Sequence, residues 1–321
     1  MVNYIVKRIV GAIPVFFGIT LLVFFMMNMA PATIADAAGE GEDSSAALRA
    51  ALEANLGLDQ PVALRYGYWL KAVVTGDLGV SYRTGQPVLG MIAQRLVPSL
   101  ILTGTGVAAA ILIGIPLGVM AAWKPGSRWN TLASGLTLFS YSAPGIFLCL
   151  VAIFLFSVQF DWFPAAGMYT AGDSGSLGDL ILHLILPAGV VCLSSLGNLT
   201  RQTASACREV LGEDYIRTAR AKGLSEMVVV WKYGFRAALI PVITTILNHI
   251  PHVIGGSMIV ERIFGWPGMG SLLFTSVNGR DYPVIMGITV VVALAVLVTG
   301  ILMDIFYRVA DPGVGWGGEA P

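Results

Sequence analysis

The chain has 321 residues, of which 56% are hydrophobic and only 12% are charged, and its mean hydropathy is +0.77. Soluble domains carry about a quarter charged residues, so this composition excludes an ordinary soluble protein and favours an integral membrane protein. Basic and acidic residues balance at 19 each, which excludes the strongly basic surface of a nucleic-acid-binding protein. Cys149, Cys192 and Cys207 lie too far apart in sequence for a paired-cysteine metal motif.

Six apolar segments are long enough to cross a bilayer as helices, since about 20 residues span a hydrocarbon core about 30 Å thick. They are residues 9–30, 98–122, 131–157, 181–200, 237–260 and 284–307. The first follows Lys7 and Arg8, as the apolar part of a signal peptide would, but it exceeds the about 7–15 residues of such a part. We therefore expect a retained spanning helix, with a signal peptide as the alternative.

A polar stretch, residues 31–97, separates the first two apolar segments and predicts a small external domain with two helices. The first covers 44–55 and ends before Gly57. The second begins near Pro61, a residue suited to a first helical turn, and ends near Gly76.

The distribution of Lys and Arg predicts the orientation, because basic residues concentrate on cytoplasmic loops. With the N-terminus inside, twelve of these residues fall inside, seven of them in the loop 201–236, whereas the two short outer loops hold only Arg262 and Arg280. We therefore expect residues 1–30 to hold the N-terminus and the first span, 31–97 to lie outside, and 98–309 to form the membrane core. The tail 310–321 is expected to be cytoplasmic, as is the N-terminus.

Prolines and glycines inside the spans predict local distortions and close contacts. Pro116, Pro144 and Pro187 are expected to kink their helices. Gly114 and Gly118 are spaced for close helix contact, which is ordinary in packed membrane bundles.

Ionisable residues are almost absent from the span interiors, which weakens the hypothesis of an ion-coupled carrier. The exceptions are Asn248, His249 and His252 around Pro251 in the fifth span. They are candidates for lining a wet pathway or for hydrogen bonding within the bundle. A metal site is a weaker alternative, because no third ligand is near in sequence. No phosphate-binding loop, nucleophile motif or zinc motif is present in the sequence, so we expect no catalytic site in the chain.

The segment 208–241 predicts a short helix, a glycine turn and a second helix. Glu213 and Asp214 begin the first helix and Arg220 and Lys222 end it, which suits the helix dipole. Gly223 stands where a left-handed cap belongs.

The second helix of this segment also carries signals for its start. Ser225 is placed to cap it, and Leu224 and Val229 have the spacing of a hydrophobic staple. A helix presented in this way favours docking into a groove of a partner protein, with a solvated loop as the alternative.

The stretch EDYIRTARAKGL, followed by FRAALIP, resembles the cytoplasmic coupling loop of ABC transporter permeases of the dipeptide/oligopeptide family. Arg217, Thr218 and Ala219 stand in place of the family's Glu-Ala-Ala, Gly223 matches its glycine, and residues 239–241 correspond to its Leu-Pro. The resemblance implies that the residues contacting an ATPase are Glu213, Asp214, Tyr215, Arg217, Thr218, Ala219, Arg220 and Gly223.

The resemblance extends over nearly the whole chain. The stretches RIVGAIPVFFGITLLVFFMMNMAP, LGLDQPVALRYGYWL, GDLGVSYRTGQPV, IGIPLGV and ERIFGWPGMGSLLFTSVNGRDYP are similar to the B-type subunit of that family. The long external segment after the first span is the feature that separates B-type from C-type subunits.

The resemblance implies an all-α permease with six transmembrane helices and an external helical insertion, in a bacterial cytoplasmic membrane. Its implied partners are a homologous C-type permease, two cytoplasmic ATP-binding subunits that hold ATP and Mg, and an external solute-binding protein. Di- or oligopeptides are the expected cargo, with nickel, glutathione or another small solute as alternatives. A self-sufficient secondary carrier and a membrane-embedded enzyme are the competing classes.

Overall fold

The computed structural model describes residues 2–29, 60–170, 172 and 175–310, and helices dominate this part of the chain. In chain order the helices are α1 (Val2–Met29), α2 (Val62–Val74), α3 (Val88–Trp123), α4 (Arg128–Ser142), α5 (Gly145–Ala152), α6 (Leu177–Leu211), α7 (Asp214–Ala221), α8 (Glu226–Val228), α9 (Leu239–Leu247), α10 (Ile250–Gly255), α11 (Met258–Ile263), α12 (Met269–Asn278) and α13 (Tyr282–Ala310). Two π-helical segments, Ile153–Gln159 and Val229–Phe235, continue α5 and α8.

Four helical stretches of the described chain are long and apolar enough to cross a membrane. They are Val88–Trp123, Leu177–Leu211, Leu239–Ile263 and Tyr282–Tyr307. The pair Arg128–Ser142 and Gly145–Gln159, bent by 104°, makes a fifth if it is one span. In α1 the apolar stretch Val10–Met26 is shorter than the about 20 residues that cross the hydrocarbon core, so six membrane crossings stay a prediction.

Helices α3 and α6 pack along each other in parallel, at a distance that only glycine permits. A Cβ on Gly106 would lie 2.6 Å from the Val191 side chain, and one on Gly118 would lie 2.7 Å from the Thr200 carbonyl oxygen. Because the contact on α6 moves forward in sequence as the contact on α3 does, both helices run in the same direction. Gly114 and Gly118 therefore serve the close helix packing that their spacing predicts.

The segment between these parallel helices returns the chain from one end of the bundle to the other. Near the start of α4, Asn130 accepts a hydrogen bond of 2.7 Å from Arg208, and near its end the Ser140 hydroxyl donates to the Leu193 carbonyl at 2.7 Å. Helix α4 thus runs antiparallel to α6, and Leu148 of α5 belongs to an apolar cluster with the earlier α6 residue Leu186.

The distortion predicted at Pro144 is confirmed, because within the apolar segment 131–157 the chain bends by 104° between α4 and α5. Pro144 lies at this bend with extended backbone angles (φ −60°, ψ 133°), as does Ala143 before it (φ −81°, ψ 118°). A proline disfavours a helical conformation in the residue that precedes it. Pro116 and Pro187, in contrast, lie inside the uninterrupted helices α3 and α6.

Two helices are longer than the apolar pattern predicts. Helix α3 begins at Val88, ten residues before the predicted edge, and α6 continues to Leu211, so residues 201–211 are helix and not the start of a loop. At about 1.5 Å rise per residue, both helices exceed the hydrocarbon core, which is about 30 Å thick. Their ends therefore project beyond it.

The outer helices place the two chain ends of the described region together. Arg8 of α1 forms a two-pronged ion pair with Asp304 of α13, its Nη2 donating to Oδ1 at 3.1 Å. At the opposite end, the Ser81 hydroxyl and the Tyr82 backbone N–H both donate to the buried carboxylate of Asp281, at the turn before α13. The segment that precedes α3 is thereby fixed at the end remote from Arg8.

The predicted helix near 61–76 is confirmed as α2, which packs back on α1. The Tyr66 ring meets Phe24 edge-on at a centroid distance of 5.4 Å, and its hydroxyl lies 3.0 Å from the Thr20 hydroxyl. The helix predicted over 44–55 lies outside the described residues.

Candidate functional site

Helix α7 is held against the bundle by two apolar side chains on one face. Ile216 is fully buried and Ala219 is nearly so, and both pack in a cluster with Val229 and Leu211. The opposite face leaves Tyr215 and Arg217 exposed. Among the predicted coupling residues, Ala219 therefore positions the helix, whereas Tyr215 and Arg217 lie on its accessible face.

The end of α7 follows the predicted glycine cap. Gly223 has a φ of +77°, and its backbone N–H donates to the Arg220 carbonyl at 2.9 Å. A Cβ at Gly223 would meet no heavy atom within 4 Å, so the backbone conformation alone requires glycine.

The two arginines of α7 have different intramolecular partners. Arg217 lies 3.2 Å from Asp214 in an exposed pair, whereas the Arg220 Nε donates to Glu226 at 2.9 Å. Glu226 also accepts a hydrogen bond of 3.2 Å from the Trp123 ring nitrogen at the end of α3. Arg220 is therefore committed to the junction between α7 and α3, a contact between distant residues that the sequence does not signal.

Two ionisable groups at this loop are shifted by their surroundings. The hydrogen bond from Arg220 lowers the pKa of Glu226, which keeps the junction charged. Partial desolvation raises the pKa of Tyr215, and the Glu213 carboxylate acts in the same direction, so the phenol stays neutral.

The second half of the loop differs from the prediction. Ser225 occupies the N-cap position of α8 but makes no capping hydrogen bond with its side chain, and α8 has only three α-helical residues. The following turns are π-helical, and Gly234 in them lies so close to Leu211 that a Cβ would come within 2.7 Å. The π-helical turns, which are wider than α-helical ones, thus coincide with close packing against α6. No local capping pattern in the sequence predicts that packing. Likewise, Glu213 is the N-cap of α7 without a side-chain bond.

The polar residues of the fifth span lie at a break in the helix. Helix α9 ends before Asn248 and α10 begins at Ile250, with Pro251 in its first turn. Asn248 and His252 are exposed and lie one turn apart on the same face. The His249 and His252 rings are 6.4 Å apart, and His249 Nε2 is buried without a hydrogen-bond partner in the described chain.

A buried carboxylate that our sequence analysis did not single out lies at the end remote from α7. Glu261 of α11 is fully buried, and it accepts hydrogen bonds from the Ser99 hydroxyl at 2.7 Å and the Ser271 N–H at 2.9 Å. A Cβ on Gly256 or Gly268 would collide with it, at 2.3 Å from Oε1 and 2.4 Å from the carboxyl carbon. The feature of the sequence that could have identified this site is a single acidic residue in an apolar stretch between these two glycines.

Comparisons with known proteins agree with this architecture over nearly the whole chain. Residues 114–316 match the family of binding-protein-dependent transport system inner membrane components, and residues 1–103 match the N-terminal membrane component of such systems. The oligopeptide transport system permease protein AppB of Bacillus subtilis (strain 168) is 41% identical over 315 residues, which cover 98% of this chain and 99% of that protein. The glutathione transport system permease protein GsiC of Escherichia coli O6:H1 is 36% identical over 316 residues, with 98% and 99% covered.

These matches and the helical bundle confirm the predicted all-α permease fold and the resemblance stated from the sequence. The chain belongs to the family of binding-protein-dependent transport system inner membrane components, and it is a multi-pass membrane permease subunit of an ABC transporter.

Proposed function

We propose that the chain is the B-type permease of an ATP-driven importer of di- and oligopeptides. The observation that carries this proposal is its 41% identity, over 98% of its length, to a permease named for oligopeptide transport. Glutathione, named in the second relative, is itself a small peptide, so both names point to cargo with amide bonds and charged ends.

The division of labour follows from the family. The chain is a non-catalytic subunit that pairs with a homologous C-type permease to enclose the translocation path. Two cytoplasmic ATPases bind ATP and Mg, and an extracytoplasmic binding protein delivers the cargo. The absence of a phosphate-binding loop from the sequence supports this assignment of the chemistry to the partners.

Helix α7 is the coupling element of the proposal, with the end that carries it in the cytoplasm. Its exposed face, with Tyr215, Arg217 and Thr218, docks on an ATPase, while its buried face packs against Leu211 at the end of α6 and follows that end. ATP binding moves this helix only if the ATPase pair has different affinities for the inward-open and outward-open states. The link from Arg220 through Glu226 to Trp123 carries that movement to α3.

The break between α9 and α10 supplies the polar lining of the path. The exposed side chains of Asn248 and His252 offer hydrogen-bonding groups to hydrated cargo, and His249 stands beside them. Double substitution of both histidines by leucine is expected to reduce transport while the complex still assembles.

Reconstitution of the complete complex with its binding protein tests the proposal. We expect uptake of labelled dipeptides and oligopeptides that requires ATP, with no uptake by this chain alone under a proton or sodium gradient. Labelled glutathione and labelled Ni²⁺ separate the alternatives. ATP-dependent uptake of either compound that unlabelled peptides do not reduce would assign that compound as the cargo instead. Transport by the isolated chain would identify a secondary carrier.

A further inference from the structure

A groove between α4 and α6 has no role in the proposed transport cycle. It has a volume of about 560 Å³ and lies at the end of the bundle that carries α7. Its walls include the arginines Arg201 and Arg208, the hydroxyl side chains Ser134 and Thr137, and the aromatic Tyr141. The remaining lining is largely small and apolar, with Ala121, Ala133, Leu138 and Ala204.

Neutral groups hold both arginines in place, so their charges are not compensated locally. Arg208 Nη2 donates to the Asn130 side-chain oxygen at 2.7 Å, and Arg201 Nη2 donates to the Tyr141 hydroxyl at 3.3 Å. The Arg201 guanidinium also lies 5.5 Å from the centroid of the Tyr141 ring. In the part of the chain that the structure describes, neither guanidinium forms an ion pair with a carboxylate.

The groove lies at the depth of lipid headgroups. The apolar part of α6 ends at residue 200, so Arg201 stands at the edge of the hydrocarbon core. Arg208 follows two turns later, about 10 Å along the helix axis. The headgroup layer of one leaflet is roughly 5–8 Å thick, so the two charges bracket it. Leu138, which is 69% exposed, lies at the apolar end of the groove.

We propose that this groove binds an anionic phospholipid of the leaflet at the α7 end, with its phosphate held by Arg201 and Arg208 and an acyl chain along Leu138. Guanidinium groups match phosphate oxygens in geometry and charge, and basic pockets between membrane helices are suited to such headgroups. The apolar floor and the aromatic side chain at the same level favour a lipid over a soluble anion.

The lipid connects two elements that matter for coupling. Arg201 and Arg208 belong to the last turns of α6, which end at Leu211, and Leu211 packs against Ile216 and Val229 of the coupling loop. A phosphate held by these two arginines, which also hydrogen-bond Tyr141 and Asn130 of α4, therefore stabilises the base on which α7 rests. Anionic lipid is thus expected to raise substrate-stimulated ATP hydrolysis as well as to bind.

The test measures lipid binding by native mass spectrometry of the complete complex. The probes are phosphatidylglycerol and phosphatidylcholine with identical acyl chains. We expect the Kd for phosphatidylglycerol to be lower than that for phosphatidylcholine. Arg201→Gln or Arg208→Gln should raise the Kd for phosphatidylglycerol about fivefold, and both changes together about 25-fold. Arg128→Gln is the matched control, because Arg128 lies on the opposite flank of α4 at the same end and should leave the Kd unchanged.

Further arms distinguish the possible occupants. The double change of both arginines to lysine keeps the charge and should retain binding even if the glutamine variants reduce the complex yield. A fluorophore on Ser134→Cys should be quenched by phosphatidylglycerol with brominated acyl chains. The proposal would be overturned by equal Kd values for the two lipids, or by an effect of Arg128→Gln as large as that of the groove variants. It would also be overturned if glycerol 3-phosphate displaced the lipid at the lipid's own concentration, or if this cysteine crosslinked to the partner permease without being quenched.

Discussion

Gly223 ends α7 with a φ of +77°, a conformation in which a branched side chain is strained. We expect Gly223→Val to cost about 1–2 kcal/mol locally. The valine Cβ would meet no neighbouring atom, so the cost comes from the strained backbone conformation alone. The variant should misdirect α7 and lower substrate-stimulated ATP hydrolysis by the purified complex. Gly223→Asn is the control, since Asn tolerates this region. Full stimulation in the valine variant would show that the direction of α7 does not matter.

Glu261 gives a second prediction at the scale of one residue. Its two oxygens accept from the Ser99 hydroxyl and from the Ser271 N–H, so Glu261→Leu leaves the partly buried Ser271 N–H without its acceptor. An unsatisfied buried group costs about 1–3 kcal/mol, and we expect a lower melting temperature of the complex in detergent. Glu209→Leu, at an exposed position of α6, is the control. Equal melting temperatures of the two variants would contradict a structural role for the buried carboxylate.

At the scale of elements, the pair Arg220–Glu226 joins α7 to the end of α3 through Trp123. Arg220→Glu should weaken the coupling of ATP hydrolysis to transport because two carboxylates then face each other. Adding Glu226→Arg restores opposite charges and should recover coupling only in part, because arginine has no acceptor for the Trp123 ring N–H. Arg217→Glu serves as the comparison, since Arg217 pairs only within α7 and should affect ATPase docking in pull-downs without being rescued by Glu226→Arg.

The same pair has a defined pH dependence. The pKa of Glu226 is lowered in the folded protein by the hydrogen bond from Arg220, below the about 4.3 of a free glutamate. The contribution of the pair to stability is therefore complete above the pKa of Glu226 in the unfolded chain. It is lost as the pH falls through the pKa of Glu226 in the folded protein. Coupling ratios of ATP hydrolysis to transport should be flat over about pH 6 to 8, and the Arg220→Glu defect should be equal throughout.

Sequence reasoning succeeded for elements whose signals are local. The cap at Gly223 and the helix after Pro61 depend on backbone preferences of a few residues, and both were predicted. The bend at Pro144 was likewise predicted from a local preference. The length of α6 to Leu211 and the π-helical turns, in contrast, depend on packing between distant segments. The contact of Trp123 with Glu226 joins residues 103 positions apart, so no periodicity announces it.

For the whole molecule, contacts order the chain into passes between two ends. The stretch formed by α9 and α10 runs antiparallel to α13, because the Thr244 and Tyr307 hydroxyls lie 2.6 Å apart whereas Gly255 lies next to Val292. Together with the Arg8–Asp304 pair, this places the beginning of α1, the coupling loop and the end of α13 at one end. The segment with Ser81 and Asp281 lies at the other. The basic residues that predict the cytoplasmic side cluster at the first end.

Single-cysteine labelling tests this arrangement in intact cells. Thr84 is exposed at the end with Ser81, and Ser225 is exposed in the coupling loop. Cys149, Cys192 and Cys207 are all buried, so the unmodified chain should give a low background. A membrane-impermeant maleimide should label Thr84→Cys in intact bacteria and Ser225→Cys only after permeabilisation, because the bilayer separates the two ends. The reverse pattern would invert the orientation, and equal labelling of both in intact cells would show that the two ends are not on opposite sides of the membrane.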